Sequence, residues 1–251
     1  MIQLQELTKR YGQHVAVDQL NLDIQPGELF GFLGPNGAGK TTTIKMLAGL
    51  LRPTSGRIVL AGHDLDLEPE KAKAALGFIP DRPFLYEKLS ATEFLQFVAG
   101  IYDINGYDVE RRIDQLLELV ELSEFRGNLI ESFSHGMKQR LVMAASFIHD
   151  PKVLVVDEPM VGLDPKGARL IKAIFRERCQ KGATIFMSTH TLEVAQAMCD
   201  RIGIILKGKL IALGSMDELQ HQADSEISEL EPIFLKLTGG EGFLEAEGAG
   251  I

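Results

Sequence analysis

The sequence predicts an α/β fold with a mostly parallel sheet, an antiparallel β subdomain near the N-terminus and an inserted α-helical subdomain. Residues 153–156 and 183–187 form apolar runs without alternation, which is typical of parallel strands covered on both faces. The first third of the chain is rich in short apolar runs, whereas residues from about 81 to 150 show helical periodicity. We therefore expect helices inserted into a strand-rich body.

The first part of the chain is expected to contain strands and one helix. The helix should run from Lys40 to about Leu50, because the turn-forming residues 52–56 stop it. Short apolar runs between turn signals predict the strands. These runs lie at residues 2–7, 20–24, 29–33 and 57–60.

Helix signals mark the middle and the last part. Ser90 and Glu93 match a capping box, in which each side chain satisfies a free amide at the start of a helix. Apolar residues within 109–120 recur at helical spacing, and Asp164 followed by Pro165 predicts another helix start.

The chain beyond residue 200 is expected to form a hairpin, a helix and a tail. Two apolar runs that flank Gly208 predict the hairpin. The glycine-rich end after Gly239 has little to pack and is expected to be mobile. The predicted divisions are a domain at 1–225 with its helical subdomain at about 81–150, and a C-terminal helix and tail at 226–251.

The composition limits the class of protein. The 251 residues are 45% hydrophobic and 24% charged, which is ordinary for a globular protein, and the formal net charge is −9. Such an acidic balance disfavours nucleic acid as a partner, because phosphate backbones are held by clustered Lys and Arg. We find no signal-peptide pattern, no apolar run near the ~20 residues that span a bilayer, and no metal-ligand spacing at Cys179 or Cys199. A cytosolic protein is expected.

The strongest motif lies between the predicted strand at 29–33 and the helix that starts at Lys40. Its glycines let backbone amides turn toward one anionic centre, and the helix N-terminus adds partial positive charge. Lys40 is expected to reach the β- and γ-phosphates of a nucleotide, and the Thr41 hydroxyl to ligate Mg²⁺. A plain glycine-rich turn is the alternative. The motif comprises Gly34, Pro35, Asn36, Gly37, Ala38, Gly39, Lys40 and Thr41.

A second motif follows the apolar strand at 153–156, where Asp157 and Glu158 stand side by side. Asp157 can lie beside magnesium, usually through a water, and Glu158 can orient or deprotonate the attacking water. Acidic pairs after strands are common on surfaces, so this motif gains its weight from the phosphate loop. The guanine motif Asn-Lys-x-Asp does not occur, which disfavours a GTPase.

A third motif opens a helix after Phe133. Ser134 is a natural N-cap, and Gly136 permits close approach of the backbone. Such a helix start can bind a second phosphate, although a plain capped helix is the alternative.

With these motifs in this order, the chain resembles the nucleotide-binding subunit of ATP-binding-cassette transporters over roughly residues 1–225. Residues 133–137 are similar to the family signature Leu-Ser-Gly-Gly-Gln, and residues 162–164 and His190 match two further family positions. The resemblance implies that the protein binds ATP with Mg²⁺. It also implies roles in one site, namely adenine stacking for Tyr11, phosphate binding for the loop through Thr42, and catalysis for Glu158 and His190.

The resemblance further implies that one chain cannot complete a site. Ser134 and Gly136 would contact the γ-phosphate bound by the opposite subunit, and Asp164 would couple the two sites. Two chains placed head to tail would close on two ATP molecules, and hydrolysis would weaken the dimer. The expected partners are an identical or related cassette and a transmembrane permease on a separate chain, at the cytoplasmic face of the cell membrane.

Two positions depart from the family pattern. Where the family usually has Gln, this chain has Asp81, and an anion ~4 Å from a triphosphate costs about 4 kcal/mol per unit charge at an effective dielectric of roughly 20. Asp81 should therefore either ligate Mg²⁺, which we predict for a closed dimer, or turn away toward Arg82. His135 replaces the second Gly of the signature, so its side chain must point away from the phosphate or donate to it.

The segment 82–86 allows two interpretations. Its Phe84, Leu85 and Tyr86 either pack within the helical subdomain or form a docking groove for a short helix of a membrane subunit.

Two functional readings remain open. Residues 81–83, 133–138 and 234–240 resemble bacterial export-type transporters. The alternative is a soluble cassette ATPase of translation or DNA maintenance, but such proteins usually carry tandem cassettes, long coiled-coil insertions or zinc cysteines. A non-enzymatic ATP-binding regulator is disfavoured, because Glu158 and His190 are both present.

Overall fold

The computed structural model describes residues 1–82, 84–224 and 229–239; for Tyr107 it describes the backbone but not the side chain. The strands are β1 (Ile2–Tyr11), β2 (His14–Ile24), β3 (Leu29–Leu33), β4 (Ser55–Leu60), β5 (His63–Asp64), β6 (Leu76–Ile79), β7 (Val153–Asp157), β8 (Thr184–Ser188), β9 (Arg201–Leu206) and β10 (Lys209–Gly214). The helices are α1 (Lys40–Leu47), α2 (Pro69–Ala74), α3 (Ala91–Ile101), α4 (Tyr107–Leu119), α5 (His135–Ser146), α6 (Pro165–Gln180), α7 (Leu192–Met198), α8 (Met216–Gln222) and α9 (Leu230–Thr238).

The larger sheet has the strand order β10-β9-β3-β8-β7-β6. All its neighbouring strands pair in parallel except β9 and β10, which form the antiparallel hairpin predicted around Gly208. The smaller sheet, in the order β2-β1-β4-β5, is antiparallel throughout. The predicted α/β fold is therefore confirmed.

The larger sheet is covered on both faces. Along β7, Leu154 and Val156 pack with helices α3 to α6, whereas Val153 and Val155 pack with α1 and the smaller sheet. Alternate residues thus face two apolar cores, which explains why these strands read as unbroken apolar runs.

Three long helices lie between residues 91 and 146, where helical periodicity was expected. Ser90 and Glu93 form the predicted capping box, because the Ser90 hydroxyl accepts from the Glu93 amide and the Glu93 carboxylate accepts from the Ser90 amide. The domain boundaries at 81, 150 and 225 stay a prediction.

Helix α1 ends earlier than predicted, at Leu47 rather than near Leu50. Gly49 adopts the left-handed conformation with φ +66°, and the Leu50 amide donates to the Lys45 carbonyl at 2.9 Å. A left-handed glycine followed by this bond closes a helix end before a turn-forming segment is reached.

The division of the chain into a C-terminal helix and tail at 226–251 also stays a prediction. Helix α9 occupies residues 230–238, whereas the tail from residue 240 onward lies outside the described residues. Within the described ranges, no helix combines the length and the apolar character needed to cross a bilayer.

Candidate nucleotide site

The turn between β3 and α1 requires glycine at two positions. A Cβ on Gly34 would lie 2.3 Å from the Ile205 carbonyl oxygen, and a Cβ on Gly39 would lie 2.5 Å from that of Ala16. Gly39 also has φ +113°, which disfavours any other residue. Strands β2 and β9 therefore hold the loop from behind, and a loop of this kind can bind an anion through its backbone amides.

Lys40 begins α1 and folds back over the loop. Its ammonium donates to the carbonyl of Gly34 and, at 3.0 Å, to that of Pro35. Burial lowers the pKa of Lys40, and the negative charges of Glu158 and Asp157 oppose that shift. The ammonium therefore lies near both predicted carboxylates. A phosphate there can replace the two carbonyl oxygens as the acceptor of its hydrogen bonds.

Asp157 ends β7 and is half-buried. Burial, followed by the charges of Glu158 and Asp81, raises the pKa of Asp157 to about 6. The charges of Glu158 and Asp81 thus disfavour the ionised form of Asp157, and a divalent cation would relieve that repulsion.

Glu158 has a strained backbone and a tightly held side chain. Its φ is +48°, which is uncommon for a residue other than glycine, and its amide donates to the Ser188 carbonyl at 2.9 Å. The Thr189 hydroxyl donates to Oε2 at 3.0 Å, and Nδ1 of His190 lies 2.7 Å from Oε1. Both carboxylate oxygens are therefore oriented from the end of β8.

Thr189 was missed in the sequence analysis. Its side chain is only 2% exposed, and its hydroxyl also accepts from the Thr191 amide at 3.1 Å. The signal available was a hydroxyl residue directly before His190, at the end of an apolar strand. Recognising it requires the strand order, since β8 lies between β3 and β7.

A cavity of about 540 Å³ joins most of the predicted residues. Tyr11, 49% exposed, lies at this cavity with the Lys9 ammonium 5.4 Å from its ring centroid. Asp81 lines the cavity rather than turning away from it. The lining residues are Tyr11, His14, Ala16, Asn36, Gly37, Gly39, Lys40, Thr41, Thr42, Asp81, Asp157, Glu158, Val161 and His190.

The residues predicted to act on the opposite subunit lie outside this lining. Ser134 caps α5 by accepting from the Met137 amide at 3.3 Å, and its side chain is exposed. Asp164 caps α6 by accepting from the Gly167 amide at 2.8 Å. Gly136 borders Leu163, whose Cδ2 would lie 3.5 Å from a Cβ at that glycine. Ser134, Gly136 and Asp164 are therefore grouped by two neighbouring helix starts.

His135 points toward Gly162 of the neighbouring loop, since a Cβ on that glycine would lie 2.4 Å from the imidazole. His135, which replaces the second Gly of the signature, thus lies against Gly162 in the loop before Asp164.

The side chains present fit Mg²⁺. Thr41, Asp81 and Asp157 line one cavity and offer only oxygen atoms, which Mg²⁺ prefers. In the described part of the chain no group of three or more His, Cys, Asp and Glu side chains is arranged to hold a metal alone. Mg²⁺ at a nucleotide is usually bound through one or two carboxylates together with phosphates and waters.

Within the segment 82–86, some side chains pack in the helical subdomain and others are exposed, as a docking surface would require. Leu85 packs against the helical core, whereas Phe84 is 82% exposed and Tyr86 is half exposed; Pro83 lies outside the described residues. The Tyr86 ring lies edge-on to Phe97, with 5.2 Å between centroids. Beside this cluster a groove of about 410 Å³ runs between the larger sheet and the helices, and its lining includes Leu50, Lys73, Phe78, Phe84, Phe94, Val98, Tyr102 and His149.

A mostly parallel sheet, a glycine-rich loop before α1, and a carboxylate pair at the end of β7 that faces Lys40 define the class as a P-loop ATPase. The family model described as "ABC transporter" matches residues 17–161, which is more than half of the chain. The chain belongs to the ABC transporter family.

Two curated relatives illustrate the similarity. The chain is 38% identical over 226 residues to "Probable multidrug ABC transporter ATP-binding protein YbhF" of Escherichia coli, covering 90% of this chain but only 39% of that protein's length. It is 37% identical over 247 residues to "Nod factor export ATP-binding protein I" of Cupriavidus metallidurans, covering 95% of this chain and 80% of the relative.

Two solved structures share the fold. An ATP-binding subunit of an ABC transporter superposes with a TM-score of 0.89 at 32% identity, covering 94% of this chain and 99% of the other. An ATP-binding cassette solved as a dimer in a post-hydrolysis state, bound to ADP and Pi, has a TM-score of 0.74 at 25% identity and covers 86% and 98%.

Proposed function

We propose that this chain binds ATP with Mg²⁺ between two copies and uses its hydrolysis to drive an export-type transporter whose membrane-spanning part is a separate chain. The observation that carries the proposal is the common cavity of Lys40, Asp157 and Glu158, with Glu158 oriented by Thr189 and His190. A cavity of this kind brings a phosphate-binding cation and a water-orienting carboxylate to one reacting phosphate.

Binding begins at the phosphate loop. The loop amides that have an N–H to donate and the start of α1 surround the phosphates, and Lys40 exchanges its bonds to Gly34 and Pro35 for phosphate oxygens. Tyr11 stacks its ring on adenine, while Lys9 lies against the same ring and limits its orientation.

The chemical step depends on orientation. Glu158 positions a water for in-line attack on the γ-phosphate, and its two oxygens cannot turn away because Thr189 and His190 hold them. Thr41, Asp81 and Asp157 would hold Mg²⁺, and the ion would supply positive charge to offset the negative charge of the phosphates. His190, whose exposed side chain also lines the cavity, would donate to the γ-phosphate.

A second copy completes the site. Ser134 and Gly136 do not line the cavity formed by Lys40 in the same chain, so they are available to a γ-phosphate on another chain. The dimeric, post-hydrolysis cassette with the same fold supports this arrangement.

The groove beside Phe84 and Tyr86 is the proposed docking site for a short helix of the membrane subunit. Exposed aromatic side chains next to an apolar groove are typical anchors for a helix. The export direction is supported by the name of the Nod factor export relative and by the resemblance of residues 81–83, 133–138 and 234–240 to export-type transporters.

The deciding experiment is Glu158→Gln. We expect this variant to bind ATP with Mg²⁺, to lose at least about a hundredfold in turnover, and to accumulate as a dimer in analytical ultracentrifugation. Glu110→Gln on the exposed face of α4 is the matched control and should behave as the unmodified chain. Full hydrolysis by Glu158→Gln, or an ATP-saturated variant that stays monomeric, would refute the proposed roles.

A further inference from the structure

His135 and Gly162 fit each other as a pair. A Cβ on Gly162 would lie 2.4 Å from Cδ2 and 2.8 Å from Nε2 of the His135 imidazole, closer than side chains approach one another. The ring therefore fills the space that a side chain at residue 162 would need. Gly162 also has φ +75°, a conformation that glycine adopts at little cost.

Gly136 also lies close to the same loop. A Cβ on Gly136 would meet Leu163 Cδ2 at 3.5 Å and the Gly162 carbonyl oxygen at 3.8 Å, which is ordinary van der Waals contact. Consecutive residues at the start of α5 thus lie close to consecutive residues of the loop at 162–164, which ends at the cap of α6.

Charged residues behind this contact join the same helices. Lys166, in the first turn of α6, pairs with Glu121 at 2.6 Å. Arg140 of α5 donates to the Val120 carbonyl at 2.9 Å. Lys166 and Glu121 are largely exposed, so their pair stabilises the arrangement only weakly. Met160 and Leu163 anchor the loop by packing on the helical core, and the exposed His135 ring adds a contact at Gly162.

We propose that His135 is a positioning residue that holds the loop at 162–164 against the start of α5, so that Ser134 and Asp164 reach a second copy of the chain in a fixed relation. The inference rests on the proposed function, because the fixed relation matters only if two copies share a nucleotide. His135 does not line the nucleotide cavity, so its contribution acts through the loop.

The imidazole ring is the part of His135 that holds the loop at 162–164. His135→Ala removes the imidazole and leaves Gly162 next to open space, so the loop gains backbone freedom. His135→Phe keeps an aromatic ring in the same place without the imidazole nitrogens. We expect His135→Phe to hold the loop at 162–164 as the unmodified chain does. We expect His135→Ala to leave this loop less firmly held.

A double-mutant cycle measures the coupling. In the Glu158→Gln background with saturating ATP and Mg²⁺, Gly162→Ala should weaken dimerisation by about tenfold more when His135 is present than when it is Ala. The reason is that the new methyl group displaces the ring only where a ring exists. The measurement is the dimer dissociation constant from sedimentation.

Gly182→Ala is the matched control for the backbone strain. Gly182 has φ +91°, and a Cβ there would meet no atom within 4 Å. It should leave dimerisation unchanged in both His135 backgrounds. Purely additive effects of Gly162→Ala and His135→Ala would overturn the inference.

Hydrogen exchange tests the inference without the dimer. In the monomer, the amides of residues 162–164 should exchange faster in His135→Ala and at the original rate in His135→Phe. ADP affinity, which reports on the cavity of a single chain, should be the same in all three. Unchanged exchange in His135→Ala would refute the positioning role. A Glu158→Gln parent that fails to dimerise would refute the proposed function, and the exchange measurement would still test the positioning role of His135.

Discussion

At the residue scale, the orientation of the Glu158 carboxylate depends on two side chains. Thr189 and His190 each bond one carboxylate oxygen, and both come from the end of β8, which lies beside β7 in the sheet. A carboxylate held by two directed bonds keeps one orientation toward an attacking water, whereas a carboxylate with one bond rotates more freely.

Thr189→Val tests this orientation. The substitution keeps the shape of the side chain but removes the donor to Glu158 Oε2, so we expect kcat to fall by about tenfold with little change in the KM for ATP. Steady-state ATPase assays provide the measurement. Thr189→Ser retains a hydroxyl and should recover most of the rate; an unaltered kcat in the Val variant would exclude the orienting role.

The raised pKa of Asp157 predicts a pH dependence of stability. Because the pKa is about 6 in the folded chain and near 3.9 in an unfolded one, folding favours the protonated acid. Its stabilising contribution is complete below about pH 4 and is lost as the pH rises through about 6. Asp157→Asn should therefore raise the melting temperature at pH 7 without nucleotide, and the gain should vanish near pH 4. A gain that persists at pH 4 would contradict this assignment.

At the element scale, helix starts place the residues that reach beyond the chain. Helices α5 and α6 begin next to one another, capped by Ser134 and Asp164, and each cap satisfies an amide that would otherwise lack a partner. The same side chains are proposed to act across a dimer, so capping and function share the same atoms.

Asp164→Ala separates these contributions. Losing the bond to the Gly167 amide should lower the free energy of unfolding by about 1 kcal/mol, as cap removal commonly does. Urea denaturation measures the loss. Asp164→Asn keeps the cap and should retain most of the stability, so equal destabilisation by Asn and Ala would show that the cap is not the cause.

At the scale of the whole molecule, two functional surfaces lie on either side of one segment. Asp81 lines the nucleotide cavity, and Phe84 lines the groove proposed for docking. The buried Gln139 of α5 donates through Nε2 to the Asp81 carbonyl at 3.0 Å, which ties this segment to the helix that Ser134 caps. A shift in the groove would therefore move both Asp81 and the start of α5, the two surfaces proposed to contact nucleotide.

Phe84→Ala tests the docking surface. The side chain is almost fully exposed, so its loss should leave folding and basal ATPase activity unchanged while reducing recovery of the chain with membranes by about fivefold or more. Co-sedimentation with membranes from cells that produce the chain gives the measurement. Leu67→Ala, at a 75% exposed site in the turn between β5 and α2, is the control. Equal recovery of the two variants would place the docking surface elsewhere.

Much of this molecule was predictable from local pattern. Strand and helix positions follow from apolar periodicity and from caps such as Ser90 and Asp164, because these signals act within a few residues. The phosphate loop and the pair Asp157–Glu158 were predictable for the same reason. The end of α1 was placed too late, because the turn-forming cluster at 52–56 was weighted above the left-handed Gly49.

The sequence by itself determined the fold class, the class of ligand and the residues proposed to contact it, since each depends on short-range chemistry. Only the tertiary structure decided that Thr189 holds Glu158, that Asp81 faces the cavity and that His135 packs on Gly162. Each of these contacts joins residues far apart in the chain, and their distances depend on strand order and on the packing of helices rather than on any local pattern.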